Sequence, residues 1–477
     1  MGEGASVDTT RRRVQDVEAK SAGFRKELGL VDLALAQVLY VVGSAWVGTA
    51  AKLGDAHLAF WLLAIALYYL PQAAVVVWLS RLMPLEGGLY QWATAGLGKL
   101  AGFLVTWNLW AYTVAVVGSF AVIIATNLSY LIGPAGATLT RTAWYTPAVS
   151  ATAIVAVTLV SILGLSTSKW LQNVGGAAQF FTYAALILIP FIALRRGVLG
   201  SYHPLAASLP AITPLSLNIF GKMALGALSG FEYVAILAGE CRDPARTIRR
   251  SVLLAVPVIA LMFILGTSSV LALVPNAQID LVSPIPQTLT IGFQGLGWAR
   301  LIVPALITLL VLRQIGTVTL IFAGNTRLPM VAGWDGLLPK ALTRLHPRFK
   351  TPIVSIAFVG ALTLAFTLAG QIGVGLQEAF QLIENVAGIL YGFTYVGLFA
   401  IPLLAANRLG ERAPWWLRAA SLSGLAVSLL YCGLSIFPII EVPSWQLFTA
   451  KIVGTLLVVE LAGVALYTWG ARRRRPA

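Results

Sequence analysis

Twelve stretches of roughly twenty apolar residues run through this chain, beginning near residues 28, 58, 100, 143, 170, 214, 251, 300, 352, 379, 415 and 445. A helix of ~20 residues crosses the hydrocarbon core of a bilayer. There every backbone N–H and C=O must be bonded within the protein, and a helix does this inside one segment. Composition agrees, with 58% hydrophobic and only 11% charged residues, against ~25% charged in a soluble domain. The expected fold class is an all-α polytopic membrane protein with 12 transmembrane helices. Inter-span connections stay below roughly thirty residues, so no soluble domain is inserted.

The net charge of +15 would suit a nucleic-acid partner, but its distribution points to topology. With a cytoplasmic N-terminus, most of the 33 Lys and Arg fall on the cytoplasmic side. They cluster at Arg11, Arg12, Arg13, Lys20, Arg25 and Lys26, at Arg242, Arg246, Arg249 and Arg250, and at Lys340, Arg344, Arg348 and Lys350. Further groups are Arg408, Arg412 and Arg418, then residues 472–475. This is the positive-inside pattern, with Arg195 and Arg196 as exceptions. It predicts a multi-pass protein of the cell inner (cytoplasmic) membrane with both termini cytoplasmic and no nucleic-acid partner. Residues 1–27 are too polar and charged for a cleavable signal and read as a cytoplasmic tail; residues 472–477 read as a basic one. Cys241 and Cys432 lie in different settings, which argues against a disulfide. Three histidines and two cysteines give no metal-ligand spacing, and no nucleophile–base pair or cofactor motif is visible. Neither enzyme, cofactor nor metal is expected.

Two spans carry weak points at matching places. The first, residues 28–52, is interrupted at Gly43-Ser44 and Gly48-Thr49; the sixth, 214–239, at Gly226 and at Ser229-Gly230 beside Glu232. Glycine lowers helix stability by ~1 kcal/mol relative to alanine, and open backbone in a membrane must line a cavity. The offset between Gly43 and Gly230 matches that between the two span starts. Five spans per repeat invert the second copy, giving repeats at 28–196 and 214–404 with spans at 414–471 as accessories. Paired interrupted helices of this kind mark a midplane transport site.

At the first break, the amides of Ser44 and Ala45 would face a carboxylate, and freed carbonyls at Val41 and Val42 an ammonium group. A zwitterionic amino acid fits both poles. Tight helix packing by Gly43, Ser44 and Gly48 is the competing reading. Glu232, deep in span six, is costly unpaired at ~2.5–3.5 kcal/mol; it is either a proton site or a structural acid. Arg313, inside span eight, cannot lose its proton and must pair or face water. Glu232 and Glu384 are the intramembrane acids open to it; alternatively it lies on the pathway and disfavours cations. Thr317 and Thr319 offer hydroxyls to a cation near the first break, although such hydroxyls usually bond their own helix. In span three, Trp107, Trp110, Tyr112, Ser119 and Phe120 either line a side-chain pocket or pack. The segment Pro84-Leu85-Glu86-Gly87-Gly88-Leu89-Tyr90-Gln91-Trp92 reads as re-entrant or interfacial, with Tyr90 and Trp92 at headgroup level. Trp334 to Pro339 reads as a short interfacial helix.

Several of these motifs resemble the amino acid–polyamine–organocation permeases. Gly43-Ser44-Ala45 is similar to their Gly-Ser-Gly, and Pro84 through Trp92, Gly102-Phe103 and Trp107 with Trp110 resemble their entry to span three. Ser229-Gly230-Phe231-Glu232 with Glu240-Cys241-Arg242-Asp243-Pro244-Ala245-Arg246 resembles their Gly-Phe-Glu…Glu-x-x-Asn-Pro-x-Arg. Arg327, Asp335 to Pro339 and Thr351-Pro352 resemble the end of their span eight. The resemblance implies a leucine-transporter-like 5+5 inverted repeat with helices 1 and 6 broken. It also implies substrate carboxylate at Ser44 and Ala45, ammonium near Val41, Gly226 and Ser229, and Glu232 in protonation and gating. The chain departs from it at Ala45, at Gly226, where exchangers of cationic substrates carry a tryptophan, and near Thr182, where several members place a lysine instead of sodium; Lys169 sits at the cytoplasmic end.

The expected function is secondary active transport of amino acids by alternating access, by proton symport or exchange, with neutral amino acids favoured because Arg313 disfavours cations and Gly226 leaves a roomier pocket. Polyamine or other organic-amine transport is the alternative, and a non-transporting sensor or partner on a permease fold the second. The candidate substrate residues are Val41, Gly43, Ser44, Ala45, Phe120, Gly226 and Ser229, with Glu232 and Arg313 for proton coupling or gating and Thr317 and Thr182 for a cation. The expected partners are the amino acid or amine, a proton rather than sodium, and membrane lipid, in a monomer or homodimer.

Overall fold

The computed structural model describes residues 29–83, 88–163, 165–206, 208–232, 243–326, 328, 339–347 and 351–473. The expectations for the N-terminal tail, Glu240 to Arg242, Arg327 and Trp334 to Leu338 lie outside these residues, as do residues 84–87. Among the described residues, ten helices are long and apolar enough to cross a membrane, and one bent pair makes an eleventh span. The pair is span one, Leu30–Val41 and Ala45–Ala51, bent by 52°. Span six, the sixth in chain order, is not among these eleven. It runs from Pro214–Gly221 through a wide turn at Lys222–Ala227 and opens after Leu228.

The remaining spans, two to five and seven to twelve, are Gly54–Leu82, Lys99–Ile132, Tyr145–Leu163, Leu165–Arg195, Pro244–Leu273, Ala299–Asn325, Ile353–Gly370, Leu376–Leu404, Trp415–Leu434 and Trp445–Arg473. Their starts follow local chemistry. At span six, Pro214 supplies a fixed φ at the first helical position. The Thr213 hydroxyl accepts from the Ser216 amide at 3.0 Å, while Ser216 Oγ accepts from the Thr213 amide at 2.9 Å, a reciprocal cap that satisfies two orphan donors. Asp243 caps span seven, accepting from the Arg246 amide.

Spans three and ten are the most enclosed, four and twelve the most exposed. Large apolar side chains such as Leu62, Phe181, Leu254, Leu301 and Leu457 face outward, as lipid contact requires. Span five packs along span eight and span ten along span three. Those two pairings exchange when spans one, three and five are matched to six, eight and ten. Spans one and six are thereby held in the centre with their breaks side by side.

Three local expectations are corrected. Gly48-Thr49 does not interrupt span one; it lies in the continuous half-helix Ala45–Ala51, where a Cβ on Gly48 would meet Pro284 Cβ at 2.8 Å. Gly48 therefore serves packing. Tyr90 and Trp92 do not present their rings outward as interfacial aromatics would: helix Gly88–Leu97 packs against span three, both rings are buried, and Trp92 Nε1 donates to the Met83 carbonyl at 2.9 Å. Trp107 and Trp110 turn away from the centre and line an apolar groove with Phe103, Phe358 and Leu466.

Candidate functional site

The first break is held open by side chains reaching its carbonyls. Span one stops at Val41, the Gly43 amide turns back to Val41 O at 2.9 Å, and the helix resumes at Ala45. Val42 O accepts from Arg313 Nη2 at 2.7 Å and from Gln179 Nε2 at 3.1 Å. Gly43 O accepts from the Tyr183 hydroxyl at 3.1 Å, and Leu39 O from Thr317 Oγ1 at 3.3 Å. Ser44 Oγ accepts from Gln314 Nε2 at 2.9 Å. Spans five and eight therefore bracket the opening, which makes good the backbone bonds that a membrane helix cannot leave unmade.

Arg313 is fully buried, and its partner is backbone rather than either acid expected from the sequence. A carbonyl freed by the break carries partial negative charge, which suits a guanidinium. Nε and Nη1 of Arg313 make no hydrogen bond. Of the two hydroxyls expected near a cation, Thr317 bonds Leu39 O at the first break and Arg313 O of its own helix. The guanidinium stands at the freed carbonyl, and Thr182 bonds its own helix at Ala178 O and Gln179 O.

The second break centres on Gly230, whose φ of +139° is a conformation that residues with a Cβ rarely adopt. Its amide donates to the Tyr395 hydroxyl at 2.9 Å, and that hydroxyl donates to Glu232. Tyr391, one turn earlier on span ten, donates to the other Glu232 oxygen. Gln72 completes the support when its amide nitrogen faces Leu228 O at 2.9 Å and its oxygen the Gly230 amide at 3.1 Å. Span two reaches this point through a wide π turn at Ile65–Tyr69, a distortion often found at functional sites. It turns Tyr68 onto Ser229 Oγ at 2.7 Å and stacks Tyr69 on Phe231 with centroids 4.9 Å apart.

Between the breaks lies a small cavity with about 50 Å³ open to water centres. Span one contributes Val41, Gly43, Ser44, Ala45 and Trp46; span six Gly226 and Ser229; span three Tyr112, Ser119 and Phe120; span ten Phe380, Glu384, Gly388 and Tyr391. All seven candidate substrate residues thus share one cavity wall. Glu232 and Arg313 stand outside this lining, one behind each break. The roomier pocket expected at Gly226 is absent because the Trp46 ring fills it: a Cβ on Gly226 would meet Trp46 Cη2 at 2.6 Å. Sequence reasoning missed Trp46, Gln179, Gln314, Tyr391, Tyr395 and Lys222 as site residues. For span ten a signal existed, since Glu384, Gly388, Tyr391 and Tyr395 recur at helical spacing on one face.

Two interrupted spans meeting at a central cavity inside a polytopic bundle define a membrane transporter of the broken-helix class. Residues 28–458 match the family described as "Amino acid permease", so the chain belongs to that family, and its activity is amino acid transport, not enzymatic catalysis. Among its relatives, the uncharacterized transporter lpg1691 of Legionella pneumophila is 24% identical over 416 residues, 85% of this chain and 86% of its own length. The branched-chain amino acid permease BcaP of Bacillus subtilis is 25% identical over 409 residues, 80% and 84% of the two chains. The crystal structure of MhsT in complex with L-phenylalanine superposes with a TM-score of 0.62 at 14% identity, covering 86% of this chain and all of MhsT. That likeness shows the fold alone.

Proposed function

We propose that this permease carries small neutral amino acids across the cytoplasmic membrane by alternating access, with its termini in the cytoplasm and with proton rather than sodium coupling. The observation that carries the reading is the cavity itself, bounded by Ser44 and Ala45 of one broken span and by Gly226 and Ser229 of the other. The first-turn amides of the half-helix after Ser44 have no carbonyl behind them within the helix and suit a carboxylate. Neutral side chains are favoured because the guanidinium of Arg313 lies directly behind Val42. Small ones are favoured because Trp46 covers Gly226.

Coupling to protons is assigned to Glu232, a buried carboxylate that receives two tyrosine hydroxyls and abuts the backbone of the second break. Protonation would remove the acceptor charge that holds Tyr391 and Tyr395, and so loosen span ten from span six. Sodium is disfavoured because Arg313 already stands at the freed carbonyl. Uptake of alanine, serine and valine into proteoliposomes, with and without an inward proton gradient, tests the reading. Gradient-stimulated uptake is expected, and absence of both uptake and counterflow for every amino acid would sink it. Glu384 in the cavity wall favours a second reading, transport of an organic amine.

A further inference from the structure

Glu384 is the one acidic side chain among the residues lining the cavity. Its neighbours Gln381, Leu382, Ile383, Asn385 and Val386 are buried, whereas Glu384 keeps partial exposure within the enclosed span ten. Ser119 of span three bonds it and Lys222 of span six opposes its charge, in a setting that the Tyr112 and Tyr431 side chains share. Neither Ser119 nor Lys222 saturates it. The single hydroxyl hydrogen of Ser119 has Val116 O, 2.9 Å away, as a competing acceptor. Lys222 donates to Asn385 Oδ1 and lies 6.0 Å from the Tyr431 ring centroid. A carboxylate has about four lone-pair sites, so much of the acceptor capacity of Glu384 is turned to the cavity.

At the first break, by contrast, the carbonyls are engaged. Val42 O holds Arg313 and Gln179, Gly43 O holds Tyr183, and Val41 O receives the Gly43 amide. A guanidinium at Val42 also repels a second cation. We propose that Glu384 receives the ammonium group of the substrate, which makes it a ligand-binding residue and restricts the cavity to small primary amines. The ammonium is either the α-amino group of an amino acid or the terminal group of a short organic amine. This inference rests on reading the cavity as the substrate site. Lys222 balances the Glu384 charge while the cavity is empty, and about 50 Å³ of open space keeps the carbon skeleton short.

The test uses the full chain in lipid nanodiscs and three compounds built on one two-carbon skeleton: L-alanine, ethylamine, which lacks the carboxylate, and propionate, which lacks the amine. Glu384→Gln is expected to weaken L-alanine binding at least about thirtyfold, the scale of losing one buried charge-assisted hydrogen bond, and propionate should not bind the parent protein. Ethylamine binding within about tenfold of L-alanine would identify an organic amine as the source; binding of L-alanine alone would identify an amino acid. Should Glu384→Gln fail to fold, carbodiimide labelling of Glu384 in the parent protein, read by mass spectrometry, gives the same answer. L-alanine or ethylamine should slow labelling and propionate should not; labelling indifferent to all three overturns the inference. So does a folded Glu384→Gln that binds L-alanine as the parent does, while the transport reading survives. A parent protein that binds neither amine overturns both.

Discussion

Arg313 and Glu232 illustrate how one ionisable group is kept at each break without a partner of opposite sign among the described residues. Arg313 has one strong acceptor, Val42 O at 2.7 Å, and two unbonded guanidinium nitrogens. A guanidinium cannot leave its charge behind, so its place is fixed by the carbonyl that the break exposes. Uptake by the parent protein should therefore be the same in sodium and in choline buffers. Arg313→Gln, which keeps a donor and removes the charge, should lower uptake about tenfold or more, as loss of a hydrogen bond to a charged group worth ~1.5–3 kcal/mol implies. Sodium-dependent uptake by the parent would contradict the first expectation. Glu232 is bonded by Tyr391 and Tyr395. Glu232→Gln should leave counterflow measurable while abolishing stimulation by an inward proton gradient. Retained stimulation would move proton coupling elsewhere.

At the scale of helices, the two broken spans touch through Trp46, whose ring lies between Gly43 and Gly226. Adding a methyl group at Gly226 drives it against a rigid ring at 2.6 and 2.9 Å, an overpacking of about 1–3 kcal/mol. Gly230→Ala should cost more. It adds backbone strain at φ +139° to contacts with Tyr40 Cε1 at 2.7 Å and Val41 Cγ2 at 2.9 Å. Melting temperatures in detergent should fall in the order parent, Gly226→Ala, Gly230→Ala, and the reverse order for the two variants would refute the argument. Glycine pairs in apolar runs made both breaks legible in the sequence, because glycine is the residue that opens a membrane helix at least cost. What filled the breaks was not legible. Val42 O looks like any other carbonyl until span eight brings Arg313 to it. The Trp46–Gly226 contact joins positions far apart in the chain, so Gly226 read as empty space. Gly48 carried the same glycine signal as Gly43 and proved to be packing against Pro284, since composition cannot separate an open turn from a close approach. Tyr391 and Tyr395 were visible as a stripe with Glu384 and Gly388, but their target on span six was not.

For the whole molecule, a transporter needs one face of its cavity to close while the other opens, and the structure shows how one face is laced. Asp280, in the segment between spans seven and eight, accepts from Gln377 Nε2 of span ten at 2.8 Å and from the Tyr130 hydroxyl of span three at 3.0 Å. The same carboxylate receives the amides of Val282 at 2.9 Å and Ser283 at 3.2 Å, just before Pro284 packs on Gly48 of span one. One side chain thus ties together spans three and ten, the most enclosed pair, and seats their connection on the half-helix that follows the first break. With both termini cytoplasmic, as proposed from the positive-inside distribution, this would be the outer face. Losing several charge-assisted hydrogen bonds at once biases a two-state equilibrium by their combined difference between the states. Asp280→Ala should therefore shift the population toward outward-open. With Cys241 and Cys432 replaced by serine and Ala45→Cys as reporter, external labelling by a membrane-impermeant maleimide should accelerate about tenfold in intact cells, the response to a bias of ~1.4 kcal/mol. Labelling from the inner face, measured in inverted vesicles, should slow in the same variant. Acceleration on both faces would mean that Asp280 only stabilises the bundle, whereas opposite changes on the two faces identify it as part of the device that alternates access.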